Sequence, residues 1–239
     1  MRNYISNAEL EELGEGIILG YTGGEASKLE RIDIEGLITD YLGLLIEYER
    51  FAEEDTSKIG FLANGSTPLQ IYRGRQKVSK VFSKGTIVLD SFLLREEETG
   101  RRRFTLAHEA AHWLLERHSP MEAAFRMEYD CEREYSMKEL EQFCNMRETQ
   151  TDRLGAVLLM PRYTVCSALH RYAGTNQLPV YGSTVFANTE KIAMQKMADS
   201  IGVSWSALFY RLKELKLLEY RNIQEYLSMN LKLGVVPFV

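Results

Sequence analysis

The stretch FTLAHEAAHWLLERH, Phe104 to His118, holds three of the four histidines of the chain. Residues four apart on an α-helix project in almost the same direction, so His108 and His112 face one side, a turn apart. Two imidazoles in this arrangement suit one tetrahedral metal ion, and Glu109 beside them suits a carboxylate that reaches water on the metal. The alternative is a pair of core or surface histidines on an amphipathic helix. The spacing, together with the helical pattern around it, favours a metal site.

The bulk composition narrows the possible functions. The net charge of −5 gives the chain no general attraction to nucleic acid or to anionic membranes. No apolar run is long enough to span a bilayer, and the N-terminus lacks the apolar segment of a secretory signal. The three cysteines are odd in number and include no C-x-x-C pair, which argues against a disulfide framework. These features predict a cytoplasmic protein without a membrane partner.

The order of patterns along the chain predicts an α+β fold in a single domain. Short apolar or alternating runs separated by Gly and Pro indicate a small, mostly antiparallel sheet, while longer periodic runs indicate helices. The predicted domain has three parts: N-terminal helices in 1–43, the sheet and histidine core in 44–172, and helix-turn-helix-like C-terminal helices in 185–229. The helices are predicted at 8–20, 33–43, 103–117, 136–160, 163–172, 189–200 and 204–217, with a loop over 173–183.

His118 is one candidate for a third metal ligand. Its spacing from His108 is that of the third histidine in H-E-x-x-H-x-x-G-x-x-H proteases. The glycine of that pattern breaks the helix, but Leu115 stands in its place here. If the helix continues to Arg117, His118 lies about 120° around the axis from His112 and cannot share its metal. A surface histidine near the helix end is therefore the favoured interpretation.

The segment RETQTDRLGAVLLMP offers a better third ligand. Glu148 and Asp152 are four apart on a predicted helix and share a face. Glu148 suits a metal ligand, and Asp152 suits a carboxylate that accepts the free N–H of a ligating histidine. A solvated acidic helix face is the alternative. Cys144, one turn before Glu148, stays open as a ligand by spacing alone.

The two segments RRFTLAHEAAHWLL and ETQTDRLGAVLLMP together resemble the ImmA/IrrE family of zinc metallo-endopeptidases. Members combine R-F-T-x-A-H-E-x-x-H with E-x-x-A-[DN]-x-x-A-x-x-L-L-M-P. Thr151 stands here where the family usually has Ala, and Gly155 where a larger residue is common.

The resemblance implies a zincin-like fold, in which an HExxH helix and a second ligand-bearing helix pack on the sheet. It implies Zn²⁺ held by His108, His112 and Glu148, with Glu109 as the catalytic base. It also implies a protein substrate, a helix-turn-helix transcriptional repressor of a mobile element, a prophage or a stress response. Tyr163 and His170 are candidates for a second donor to the oxyanion, but core or surface roles are the favoured interpretation for both.

Two other functions compete with the peptidase. The segment KIAMQKMADSIGVSWSALFYRLKELKLLE resembles a DNA-binding helix-turn-helix, with Gly202 at the turn. Its second helix has only Arg211 and Lys213 as cations, so helix packing is favoured over DNA contact. The basic run GRRR, residues 100–103, is interpreted as a solvated turn. A non-catalytic interaction protein with the same fold is the third possibility, and the presence of Glu109 argues against it.

Overall fold

A computed structural model describes residues 5–26, 29–116, 124–127 and 146–233. It has small sheets packed with helices, which confirms the predicted α+β class. The chain divides into two compact units, Met1–Pro161 and Arg162–Val239. The predicted core, by contrast, extends to residue 172, and the single domain stays a prediction. Among the residues described, no helix combines the length and the apolar character needed to cross a membrane.

The first unit begins with helices, and most of its strands follow them in the chain. The predicted helix 8–20 is present, whereas the second predicted helix is a short α-helix that continues as a π-helical turn over Leu37–Tyr41. The helices of this unit are α1 (Asn7–Tyr21), α2 (Ile34–Gly36), α3 (Thr99–Glu116) and α4 (Met146–Leu159). The strands are β1 (Leu45–Glu49), β2 (Lys58–Leu62), β3 (Pro68–Arg73), β4 (Gln76–Val81), β5 (Thr86–Asp90) and β6 (Ala124–Met127).

The main sheet has the strand order β1-β5-β2-β6. β2 pairs antiparallel with β5 and with β6, as the sequence predicts, whereas β1 pairs parallel with β5. The parallel pair is possible because a long connection, which includes the β3–β4 hairpin, separates β1 from β5 along the chain. Apolar side chains link the hairpin to the sheet in one cluster, formed by Phe51, Phe61, Ala63, Leu69, Ile71, Phe82 and Val88.

Helix α3 is deeply buried beside the sheet, and it packs against β2, β5 and α4. Every residue from Arg103 to His112 except Phe104 is buried. The interpretation of residues 100–103 as a solvated turn is wrong, because they belong to α3. Arg103 donates a hydrogen bond to the carbonyl of Ile32 at 2.8 Å. Burial lowers the pKa of Arg103 to about 10, so the side chain stays charged at neutral pH.

Gly155 lets α4 approach α3 closely. A methyl group at Gly155 would lie 3.2 Å from the backbone N of His108 and 3.3 Å from the carbonyl C and O of Ala107. These neighbours are helix backbone, which cannot rotate away as a side chain does. The packing face of α4 is apolar and buried, as the sequence predicts for Leu154, Val157 and Leu158.

The second unit contains helices and a small parallel sheet. Its helices are α5 (Arg162–Ala173), α6 (Asn188–Ile201), α7 (Trp205–Glu214) and α8 (Ile223–Leu233), and its strands are β7 (Leu178–Tyr181) and β8 (Leu218–Arg221). The prediction of a continuous loop over 173–183 is wrong, because β7 pairs in parallel with β8. Gly202 ends α6 in the left-handed conformation, with φ 77°, before Ser204 caps α7.

We expect Gly155→Ala to destabilise the protein relative to a matched change, Gly16→Ala. Both glycines lie inside helices, so alanine improves helix propensity equally, by about 1 kcal/mol. Gly16 has open space around its Cα, whereas a methyl at Gly155 meets backbone. The free energy of unfolding of Gly155→Ala should therefore lie about 1–3 kcal/mol below that of Gly16→Ala in urea titrations. Equal stabilities would contradict the close approach of α3 and α4.

Candidate metal centre

Helices α3 and α4 bring together the three predicted ligands, His108, His112 and Glu148. The Nε2 atoms of the two histidines lie 3.0 Å apart. The carboxylate oxygens of Glu148 lie 3.4 Å from Nε2 of His108 and 3.6 Å from Nε2 of His112. Both imidazoles are buried, whereas the Glu148 side chain is 31% exposed. Three electron-pair donors therefore converge on one point, with solvent close to the carboxylate.

Asp152 determines which nitrogen of His108 faces that point. Its Oδ1 lies 2.8 Å from Nδ1 of His108. A carboxylate only accepts hydrogen bonds, so Nδ1 carries the proton and Nε2 of a neutral His108 presents its lone pair. This contact is the one expected of a carboxylate that orients a metal-ligating histidine, although the Asp152 side chain is 48% exposed.

The spacing of the two imidazole nitrogens and the Glu148 carboxylate fits a metal ion. Tetrahedral zinc with bonds of about 2.0–2.2 Å holds neighbouring ligand atoms about 3.3 Å apart. The observed separations of 3.0, 3.4 and 3.6 Å bracket that distance. Lone pairs and an anionic carboxylate this close repel one another unless a cation or a shared proton lies among them. Two imidazoles and one carboxylate are ligands for several transition ions, zinc and iron among them.

The electrostatics of Glu148 also suit a ligand. Burial raises the pKa of this carboxyl, but its contacts with His108 and His112 lower it by more. The pKa of Glu148 therefore lies well below its ordinary value, and the group is an anion throughout the neutral range. A metal ligand must be deprotonated, so Glu148 offers its oxygen without first losing a proton.

Glu109 is fully buried on α3, beside His108 in sequence. Strand β2 lies against its carboxyl group at Gly60. A methyl group on Gly60 would fall 2.6 Å from Oε1 of Glu109 and 2.5 Å from Cγ2 of Thr105. The pairing of β2 with β6 shifts register between Lys58 and Phe61, so the strand is irregular at this glycine. Gly60 thus provides the space that the Glu109 carboxyl occupies.

Sequence reasoning missed Gly60 and the contact of Thr151. The signal for Gly60 was a glycine inside a strand pattern, which often marks a bulge or a close approach of another group. Thr151 is buried, and its Oγ1 lies 3.4 Å from Nδ1 of His112. Its only signal was the departure from the alanine that the resembled family usually has there.

The structure leaves the other four candidates untested. His118 and Cys144 lie outside the described residues, so the predictions about them stay predictions. Tyr163 and His170 lie on α5, in the second unit. Their proposed role as oxyanion donors also stays a prediction.

No protein-family model matches the chain, and no curated protein matches its sequence.

Metal analysis tests the ligand set. We expect purified protein to bind about one Zn²⁺ per chain, because the three donors have the spacing of one tetrahedral site. Glu148→Ala removes a ligand and should weaken binding by more than the about 10- to 100-fold that loss of an outer hydrogen-bond partner costs. Competition with a chelating dye measures the dissociation constant. His118→Ala is the control and should bind zinc as wild type does. Weak zinc binding by His118→Ala, together with normal binding by Glu148→Ala, would instead identify His118 as the third ligand.

A mutant cycle tests the fit of Gly60 against Glu109. Gly60→Ala should destabilise the wild type by about 1–3 kcal/mol, because the new methyl overlaps the Glu109 carboxyl and the Thr105 methyl. The same change should cost much less in a Thr105→Ser, Glu109→Ala background, where both opposing groups are gone. Urea unfolding measures the four free energies. An equal cost in both backgrounds would show that these two side chains do not limit the space at Gly60.

Proposed function

We propose that this protein is a zinc-dependent endopeptidase of the ImmA/IrrE type, with a zincin-like fold. The observation that supports this most is the convergence of His108, His112 and Glu148, with Glu109 on the same helix as the two histidines. Zincins hold zinc through an HExxH helix and a third ligand from elsewhere, and they leave one position open. Glu148 supplies that ligand from α4, a second helix packed on the first.

The reaction adds water across a peptide bond, with the hydroxyl going to the carbonyl carbon and a proton to the nitrogen. Zinc held by the two histidines and Glu148 would supply Lewis-acid activation of the water and the carbonyl. Glu109 would accept the proton of the attacking water on a carboxylate oxygen and deliver it to the leaving amine. Strand β2 lies close to that carboxylate at Gly60, which limits the space in which it can move. Asp152 holds His108 in the tautomer that offers Nε2.

The substrate we propose is a helix-turn-helix transcriptional repressor of a mobile element, a prophage or a stress response, cleaved in the cytoplasm. This part of the proposal depends on the resemblance of the two motifs alone.

The DNA-binding alternative loses support from the second unit. α6 and α7 do flank a tight turn at Gly202, as a helix-turn-helix requires. Of the two cations on α7, however, Arg211 is buried and pairs with Glu214 at 3.5 Å. Lys213 alone remains exposed on that helix for a phosphate, and groove binding depends on several such contacts. A non-catalytic interaction protein gives no reason for a carboxylate beside the metal ligands.

Glu109→Gln separates catalysis from the other functions. The amide cannot accept the proton, so cleavage should fall by about 100-fold or more, while zinc affinity stays near that of wild type. The measurement is N-terminal labelling and mass spectrometry of host lysate incubated with either protein, because this detects cleavage of any protein in the mixture. New termini that depend on zinc and on Glu109 would identify the repressor or another substrate.

Gel shifts on the DNA upstream of the gene provide the second readout. The peptidase proposal expects weak binding that salt abolishes, equal in wild type and Glu109→Gln. Tight, sequence-specific binding by both proteins, with no new termini from either, would refute the peptidase and support the DNA-binding alternative.

A further inference from the structure

Each histidine of the metal centre has a partner on its outer nitrogen, and the two partners are consecutive residues of α4. Asp152 meets Nδ1 of His108 at 2.8 Å, and Thr151 meets Nδ1 of His112 at 3.4 Å. Consecutive helical residues point about 100° apart, so one helix can reach two imidazoles that are a turn apart on another helix. The close approach at Gly155 brings α4 within that reach.

We propose that Thr151 is a positioning residue for the metal, which holds His112 through Nδ1 so that its Nε2 faces the same point as Nε2 of His108. The inference rests on the metal centre proposed above and is independent of peptide cleavage. The Thr151 side chain is 2% exposed, so water does not compete freely for the imidazole. Removal of the hydroxyl would leave a buried ring nitrogen without this contact.

The two partners differ in chemistry. Asp152 is an anion that only accepts, so it imposes a single tautomer on His108. A hydroxyl both donates and accepts, so Thr151 keeps its contact with His112 whether Nδ1 carries the proton or the lone pair. The hydroxyl of Thr151 therefore orients the His112 ring without selecting its tautomer.

The two partners also differ in the charge that they place beside the imidazoles. An anionic partner makes the His108 ring a stronger electron donor, whereas a neutral hydroxyl leaves His112 closer to an ordinary imidazole. A second anionic partner would add negative charge next to the Glu148 carboxylate, whose oxygens lie 3.4 Å and 3.6 Å from the two imidazoles. A neutral residue at 151 orients the imidazole without that repulsion.

Three substitutions at Thr151 separate the hydroxyl from the methyl group. Thr151→Val keeps the shape and removes the hydroxyl. We expect it to weaken zinc binding by about 10-fold, the lower end of the range seen when a metal ligand loses its hydrogen-bond partner. Thr151→Ser keeps the hydroxyl and should bind zinc within about threefold of wild type. Thr151→Ala removes the hydroxyl without adding bulk and tests the same point if valine disturbs folding. Thr149→Val, on the exposed face of α4, is the matched control and should leave affinity unchanged.

The zinc dissociation constants come from chelator competition, and thermal melts of the zinc-free proteins report folding. A purely structural role for Thr151 predicts that Ser, which loses buried methyl contact, is the weaker zinc binder and Val is normal. That order would overturn the inference, as would equal affinities for Val, Ala and wild type. If wild type binds no zinc, both the proposed metal centre and this inference are wrong. If wild type binds zinc but cleaves no protein, only the proposed peptidase activity is wrong.

The hydrogen bond at Nδ1 of His112 gives a readout that packing alone would not move. In zinc-loaded wild type and Thr151→Ser, ¹⁵N spectra of the imidazoles should show His112 with a hydrogen-bonded proton on Nδ1. In Thr151→Val that proton should lose its hydrogen-bonded shift, while the His108 signals stay as in wild type because Asp152 is unchanged. Identical His112 signals in the Val and wild-type proteins would overturn the inference.

Discussion

The close packing of α4 on α3 is the constraint on which the candidate site depends. Three residues of α4 contact the two imidazoles: Glu148, Thr151 and Asp152. Their side chains are short, so they reach the rings only if the two backbones come near each other. Gly155 permits that approach one turn further along, where its Cα faces the backbone of Ala107 and His108. Because Gly155 has no side chain, the two helices can approach each other closely. That approach sets the distances between the candidate ligand atoms.

The same helix α3 is confined by a second glycine, on a different element. Gly60 of β2 leaves room for the carboxyl of Glu109, much as Gly155 leaves room for the backbone next to His108. His108 and the proposed base are adjacent in sequence but pack against different neighbours, a helix and a strand. A change in the sheet can therefore displace the base without displacing the ligands, and a change in α4 can do the opposite. The candidate ligand His108 and the proposed base Glu109 therefore have different packing neighbours.

The parts of the structure that sequence reasoning reached are those with local causes. The helix that holds His108 and His112 follows from periodicity, and so does the pairing of Glu148 with Asp152 on one face. The strands between residues 45 and 90 follow from alternation and from glycines at turns. The parallel pairing of β1 with β5 does not, because it joins segments far apart in sequence. β7 was missed partly for the same reason, because its partner β8 lies beyond two helices in the sequence. It is also only four residues long and contains Pro179, which weakens the strand pattern.

Burial of charge shows the limit of local reasoning most clearly. Arg103 and Arg211 look like surface cations in the sequence, and both are buried. Arg103 is inside because α3 starts early enough to place it over the carbonyl of Ile32, which accepts its hydrogen bond. Arg211 is buried too, and it pairs with Glu214, one turn further along α7, at 3.5 Å. In both cases the sequence alone indicates a cation that could bind a ligand, whereas the structure shows a buried cation with a partner inside the protein. Among the described residues, Glu148 and Asp152 place carboxylates against the two imidazoles, and anionic groups of this kind stabilise a bound metal cation.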